Sequence, residues 1–271
     1  MDNIKNESAV KNLIAMGQAK NATAVWAHHG SKSGLERLLP GVKVHVLGPP
    51  NLKQTEKIKK MKSRDPDQFW HLLVGLNDGG KTKLQAVQGD KRRSKKPPTL
   101  PPDARWFGQR LDRMRGQQVL EIVRSLDSQM NNTSLILLFE VFGKKLLFPG
   151  DAQIENWSWA LQDAPDCKAT LKLLSDVDVY KVGHHGSLNA TPKKLLWENF
   201  KKRTSKDRKR VPKEKKLRTL LSTMPGKHGN PKKGTEVPRK PLLAALDEET
   251  ELLNTTGLAK GKDFYTVVVT R

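Results

Sequence analysis

Three apolar runs, each stopping abruptly at a polar residue, constrain this chain more than any other feature. Ser134 to Phe142 leads through a Gly143-Lys144 turn into Lys145 to Phe148, which stops at Pro149-Gly150-Asp151-Ala152. Val177 to Val182 stops at Gly183-His184-His185-Gly186-Ser187. Short runs of Leu, Ile, Val and Phe bounded by Gly and Pro read as buried strands, and the first two as a hairpin. The last two strands therefore deliver Asp151 and His184 to one sheet edge. A carboxylate beside a glycine at a strand end can face a pocket without burying an unpaired charge. An imidazole one glycine beyond the next strand can reach the same edge. His185 is expected to point elsewhere by alternation, toward substrate or behind a ligand. Ser187 is expected to orient a ligand or bind an anionic oxygen.

The flanking patterns predict an α/β layered fold. A short amphipathic helix ends near Gly17. A brief strand is expected over 22–27, a helical turn after Gly34, and a strand over 42–47 that Pro49-Pro50 stops. Residues 51–105 are mostly polar and basic and read as a surface insertion whose composition suits partial disorder. A helix is predicted between Phe107 and Ser128, broken around Gly116. Beyond the hairpin the pattern gives a helix from Ile154 to Leu161 that buries Trp157, the strand 177–182, and a helix from Pro192 to Phe200. A strand over 217–223, a helix from Pro241 to Leu253 and a closing strand over 264–270 follow. Trp157 and Trp159 cannot share one helical face, so one is expected in the core and the other half-exposed.

Charge narrows the partners. The chain has 271 residues with 50 Lys and Arg against 28 Asp and Glu, a formal net charge of +22. Such an excess suits polyanions, among them nucleic acid and phosphorylated substrates. Residues 201–216 hold ten basic and two acidic groups, a basic insertion that accentuates a bias spread along the whole chain. Without interleaved aromatic residues a base-stacking platform is not indicated. The single cysteine, Cys167, cannot form an internal disulfide, and the start lacks a signal-peptide core, so a reducing cytoplasm is the expected compartment. No apolar run approaches the ~20 residues that cross a bilayer, so no membrane partner is expected.

The order Asn-x-x-Ser and an apolar run, then Gly-Asp-Ala, then an apolar run and Gly-His-His-Gly-Ser resembles the second half of metallo-β-lactamase-fold hydrolases. It is most similar to the metal-binding domain of DNA-uptake competence proteins. The resemblance is strong over about 130–200 and weaker through Leu217 to Asn230. It implies an αββα sandwich of which this chain holds the C-terminal half. Residues 1–50 would then be mid-domain helix and strand segments, and 106–271 the C-terminal half interrupted at 201–216. It further implies two divalent ions, zinc or manganese, with Asp151 bridging them and His184 as a terminal ligand. His185 and Ser187 would lie at the substrate side and His228 at the pocket rim. A metal-bound hydroxide would attack a phosphoester or another anionic substrate.

The family's first-half metal loop, His-x-His-x-Asp-His, is missing from these residues. The seven histidines are His28, His29, His45, His71, His184, His185 and His228, and no two show that spacing. A chain with two donors is expected to be a poor catalyst alone, since zinc sites use about four ligands. The chain then reads as a truncated gene product, a fragment, or one half of a split enzyme with the complementing N-terminal half on a separate chain, and a sheet lacking that half would expose an apolar face. His-His-Gly-Ser also occurs at 28–31 with no Gly-Asp before it, and that repeat reads as coincidence. His45 and His71 read as structural. The alternative function is a noncatalytic basic module that binds nucleic acid or another polyanion.

Overall fold

The computed structural model describes residues 7–20, 22, 24–55, 57, 65, 67–70, 131–205, 211–224, 236–258, 261–262 and 264–269. The insertion beyond Trp70, the helix predicted over 107–128, His71 and His228 lie outside the described residues. Among the described residues six strands build one mixed sheet in sequential order. They are β1 (Lys43–Gly48), β2 (Ile136–Val141), β3 (Lys144–Phe148), β4 (Val179–Lys181), β5 (Arg218–Leu221) and β6 (Glu251–Asn254). The pairs β1–β2 and β2–β3 are antiparallel, and β3 through β6 run parallel. The carboxyl ends of β3, β4, β5 and β6 consequently share one edge.

Local chemistry explains the β2–β3 hairpin. Its turn falls on Phe142 and Gly143, with φ of 50° and 75° and Val141 opposite Lys144, one residue earlier than the predicted Gly143-Lys144. A two-residue turn that matches strand twist needs positive φ at both positions, and only the Phe142-Gly143 register supplies a glycine at the second. Gly48 relieves crowding of a different kind. A Cβ there would sit 3.0 Å from Ile136 Cδ1, where β1 and β2 shift register between Val46 and Gly48.

Alternation sorts the sheet into two faces. Ile136, Leu138, Leu147 and Tyr180 are fully buried on the first, against helices that all lie on that side. Those helices are α2 (Ile154–Ser158), continued by a π-helical turn over Trp159–Asp163, then α3 (Cys167–Ser175) and α4 (Lys240–Glu249). They contribute Trp157, Leu161, Leu174, Leu242 and Leu246 to a single core cluster. Burying each such side chain stabilises the fold by roughly 1.5–3 kcal/mol. Trp157 is fully buried and Trp159 half-buried, as their spacing requires. The fold is thus an α/β layered one, and β1 from the first fifty residues completes the same sheet as the later strands. The N-terminal helix α1 (Glu7–Gln18) leaves Leu13, Ile14 and Met16 exposed.

Several predicted elements differ. Residues 22 and 24–27 form no strand; the chain instead docks at 29–30, where His29 and Gly30 donate to Pro49 and Val46 carbonyls along β1. The segment 192–200 is a series of turns ending in the 3-10 turn Trp197–Asn199, because Leu196 and Trp197 amides both turn back to the Pro192 carbonyl. Helix α4 begins at Lys240 with Pro241 in its first turn and stops at Glu249. There Thr250 adopts an extended backbone, and Leu252-Leu253 then pair with β5 as strand β6. An apolar doublet is compatible with either period, and only the open sheet edge decides for strand. Residues 264–269 form no strand, and Val268 is held by its carbonyl accepting from Arg218 Nη1 at 3.1 Å. Helix α3 carries no strong sequence signal and forms by packing Leu174 into the core.

Candidate functional site

The parallel strands end in three loops that bond to one another. After β3, Gly150 adopts a φ of 56° and leads into Asp151. After β4, the amide of His184 donates to the Gly150 carbonyl at 3.2 Å. A Cβ at Gly183 would lie 3.3 Å from that same oxygen, so the glycine before the histidines permits the close approach. After β5, the Ser222 carbonyl accepts from His185 Nδ1 at 2.8 Å. Ligands of open parallel sheets bind in the crevice at such carboxyl ends.

The His-His turn holds an unusual backbone. His184 (φ 42°, ψ 51°) and His185 (φ 53°, ψ 21°) are both left-handed, and Gly186 follows at φ 80°. Left-handed backbone costs a side-chain-bearing residue about 1–2 kcal/mol, and such strain persists only where the surroundings over-determine it. Here the surroundings do so from several sides. The Ser187 amide closes the turn onto the His184 carbonyl at 3.0 Å, and the Arg239 amide donates to Gly186 at 2.9 Å. Arg239 is itself buried and donates from Nε to the Trp70 carbonyl at 3.1 Å. Beyond the turn, Trp70 and Trp157 indoles donate to the Thr191 and Ala190 carbonyls, and Tyr180 bonds the Thr191 hydroxyl. The expected strand alternation does not apply to His184 and His185, because both lie in this turn.

Each predicted residue now has a place. Asp151 and His184 sit on loops joined by the His184–Gly150 hydrogen bond, with Asp151 half-buried. His185 directs Nδ1 at an oxygen that can only accept, so Nδ1 carries the proton and Nε2 the lone pair of the neutral ring. Ser187 is buried, its hydroxyl donating to Asn189 Oδ1 at 3.5 Å, while the Asn189 amide donates to Gln153 at 3.2 Å. That chain ties the His-His turn to the residue two beyond Asp151. His228 lies outside the described residues. Among the described residues no group of three or more His, Cys, Asp or Glu side chains is placed to hold a metal ion. The donors fit zinc or manganese in kind, one carboxylate and imidazole nitrogen, but not in number.

Lys181 is the residue that sequence reasoning missed. It closes β4, is half-buried, and lies close enough to Asp151 to feel its charge. Burial pulls its ammonium below the ordinary lysine range, and the Asp151 carboxylate opposes that shift. The signal was a lone lysine inside Val177 to Val182, an apolar run that otherwise excludes charge after Asp178.

Of the other described histidines, His29 and His45 make structural contacts. His29 is buried, with Nδ1 2.8 Å from the Leu47 carbonyl, Nε2 2.9 Å from Asp166, and its ring edge-on to Trp159. The 28–31 turn copies part of the 184–187 one, with an amide of Ser31 on the His28 carbonyl and Gly30 at φ 78°. Its two histidines nevertheless lack the left-handed strain, and its carboxylate partner, Asp166, is the residue that precedes helix α3. His45 pairs with Glu140 across β1 and β2. Among the described residues no helix is long and apolar enough to cross a membrane. Comparison with protein-family models, curated proteins and solved structures yields no significant match.

Proposed function

We propose that this chain carries the C-terminal half of a metal-dependent hydrolase of the metallo-β-lactamase type, acting on a phosphoester or another anionic substrate in a reducing compartment. The carrying observation is the tie between the Asp151 loop and the strained His184-His185 turn at the carboxyl ends of β3 and β4. Asp151 and His184 would hold a divalent ion, zinc or manganese, which when bound would polarise a phosphoryl oxygen and acidify water. The chain's own groups supply the rest. With its proton on Nδ1, held by Ser222, His185 presents Nε2 as an acceptor able to take a proton from water. Lys181 adds a cation within range of the Asp151 charge, suited to an anionic substrate. Donors beyond the described residues, from His228 or from a second polypeptide, would have to complete the metal shell.

Equilibrium dialysis with zinc or manganese, read by elemental analysis, tests this directly. Wild type should retain metal above the level of both Asp151→Ala and His184→Ala. Equal retention by all three overturns the metal reading.

The second reading, a noncatalytic basic module, is favoured by the excess of 50 basic over 28 acidic residues and by the short donor count among the described residues. A labelled oligonucleotide should then bind with affinity that falls steeply with salt and is unchanged by Asp151→Ala.

A further inference from the structure

We infer that the end of the sheet remote from the Asp151–His184 edge is a docking surface for a single strand of nucleic acid, with lysines on its phosphates and Phe142 against a base. Tertiary structure gathers this surface from separate segments. β1 and β3 both pair antiparallel with β2, so Lys43 and Lys144 open their strands at the same end. Helix α3 ends there too, since Lys145 Nζ donates to the Leu173 carbonyl at 3.2 Å and the Lys145 amide to Asp178 at 2.9 Å. Lys172 belongs to the last turn of that helix. The Lys201 amide donates to the Ser175 carbonyl at 2.8 Å, and the Leu217 amide to the Lys202 carbonyl at 2.7 Å. Both flanks of the basic insertion, Lys201 and Lys215-Lys216, are thereby rooted beside the same helix end.

Positive charge at this end is left uncompensated. Lys43, Lys144, Lys172, Lys201, Lys215 and Lys216 are exposed or half-buried and make no ion pair among the described residues. The carboxylates nearby are mostly engaged: Asp178 accepts from Lys202 Nζ at 2.7 Å, Glu249 from Arg203 and the Trp197 indole, Glu251 from Arg218, and Glu140 pairs with His45. Asp176 and Glu214 remain, while Asp247 and Glu248 sit on α4 at the β6 flank. From Lys43 on β1 to Lys216 before β5 is four strand spacings of ~4.8 Å, about 19 Å. Five or six phosphates occupy about that length along one strand at ~3.4 Å each.

Phe142 supplies the aromatic that the lysine runs lack in sequence. It sits at the tip of the β2–β3 hairpin, next to the paired Val141 and Lys144, and is 65% exposed. Its φ of 50° strains a side-chain-bearing residue at a position where Asn would be at ease. An exposed apolar ring kept under strain points to a use outside the fold. An aromatic face beside lysines stacks on any unpaired base, which neither an anionic membrane nor a closed duplex offers. The inference rests on the polyanion reading, to which it gives a surface, and is independent of the metal reading, whose residues lie at the opposite end.

Fluorescence anisotropy of a labelled oligothymidylate of about 15 nucleotides, titrated with the full chain at several salt concentrations, is the test. Each lysine on a phosphate of a single strand contributes about 0.7 to the slope of log affinity against log salt. Lys172→Gln combined with Lys201→Gln should therefore lower the slope by about 1.4. Lys32→Gln combined with Lys53→Gln, an equal charge change on exposed residues away from the surface, should leave the slope as it is. Phe142→Asn should weaken binding at least about 5-fold at every salt concentration, with the slope unchanged and the urea midpoint raised. Wild type that leaves the oligonucleotide unbound overturns the polyanion reading and this surface together. Binding to anionic phospholipid vesicles but not to the oligonucleotide overturns the choice of nucleic acid. Equal loss of slope in the two lysine pairs, or full affinity in Phe142→Asn, overturns the surface alone.

Discussion

The left-handed His184-His185 turn makes a prediction whose sign is set by backbone geometry. At His184, with φ 42° and ψ 51°, any residue bearing a Cβ carries about 1–2 kcal/mol of strain. Alanine keeps that strain and glycine removes it, while the freer unfolded chain of glycine takes back about 0.5–1 kcal/mol. His184→Gly should therefore be more stable than His184→Ala by about 0.5–1 kcal/mol. The same ordering should hold at His185 (φ 53°), where loss of the Nδ1 bond to Ser222 is common to both variants and cancels. At Ser187, with φ −65° and ψ 167°, strain is absent and the order should invert, glycine falling below alanine. Urea unfolding midpoints at constant slope give the differences. Alanine equal to or above glycine at both histidines would refute the claim that this turn stores strain. Both substitutions at 184 should lower metal retention alike, which separates the backbone effect from the imidazole.

Two further outcomes follow from the fold. Phe142→Asn should stabilise the chain by about 1 kcal/mol in thermal or urea unfolding, since Asn-Gly suits the turn in which Phe142 sits at φ 50° and is 65% exposed. Tyr180, buried, has its phenol pushed up to about 12 from 10.0. The native state thus holds that proton more tightly, giving a stability contribution of about 3 kcal/mol that is present below pH 10 and lost as pH rises toward 12. Tyr180→Phe should remove this alkaline loss, and identical pH dependence in both proteins would contradict it.

The strands that hold the candidate site were legible because their information is local. Ile136 to Val141, Lys144 to Phe148 and Val179 to Lys181 are apolar runs bounded by breakers, so burial and turn chemistry both name them. Trp157, at a helix-compatible spacing, could likewise be placed in the core. The end of α4 could not. Thr250 to Leu253 continue the helical pattern well enough, and only pairing of Glu251–Asn254 with β5 draws them into the sheet.

From the sequence alone came the fold class, the strand ends that carry Asp151 and His184, and the basic excess, since all three depend on residue type at short range. Tertiary structure alone decided which loops touch. That the His184 amide reaches Gly150, that His185 is fixed by Ser222, and that Lys181 feels the charge of Asp151 are interactions between segments separated by 30 to 37 residues. The left-handed backbone at His184 and His185 belongs to the same class, because no local preference selects it and only the packed surroundings hold it there.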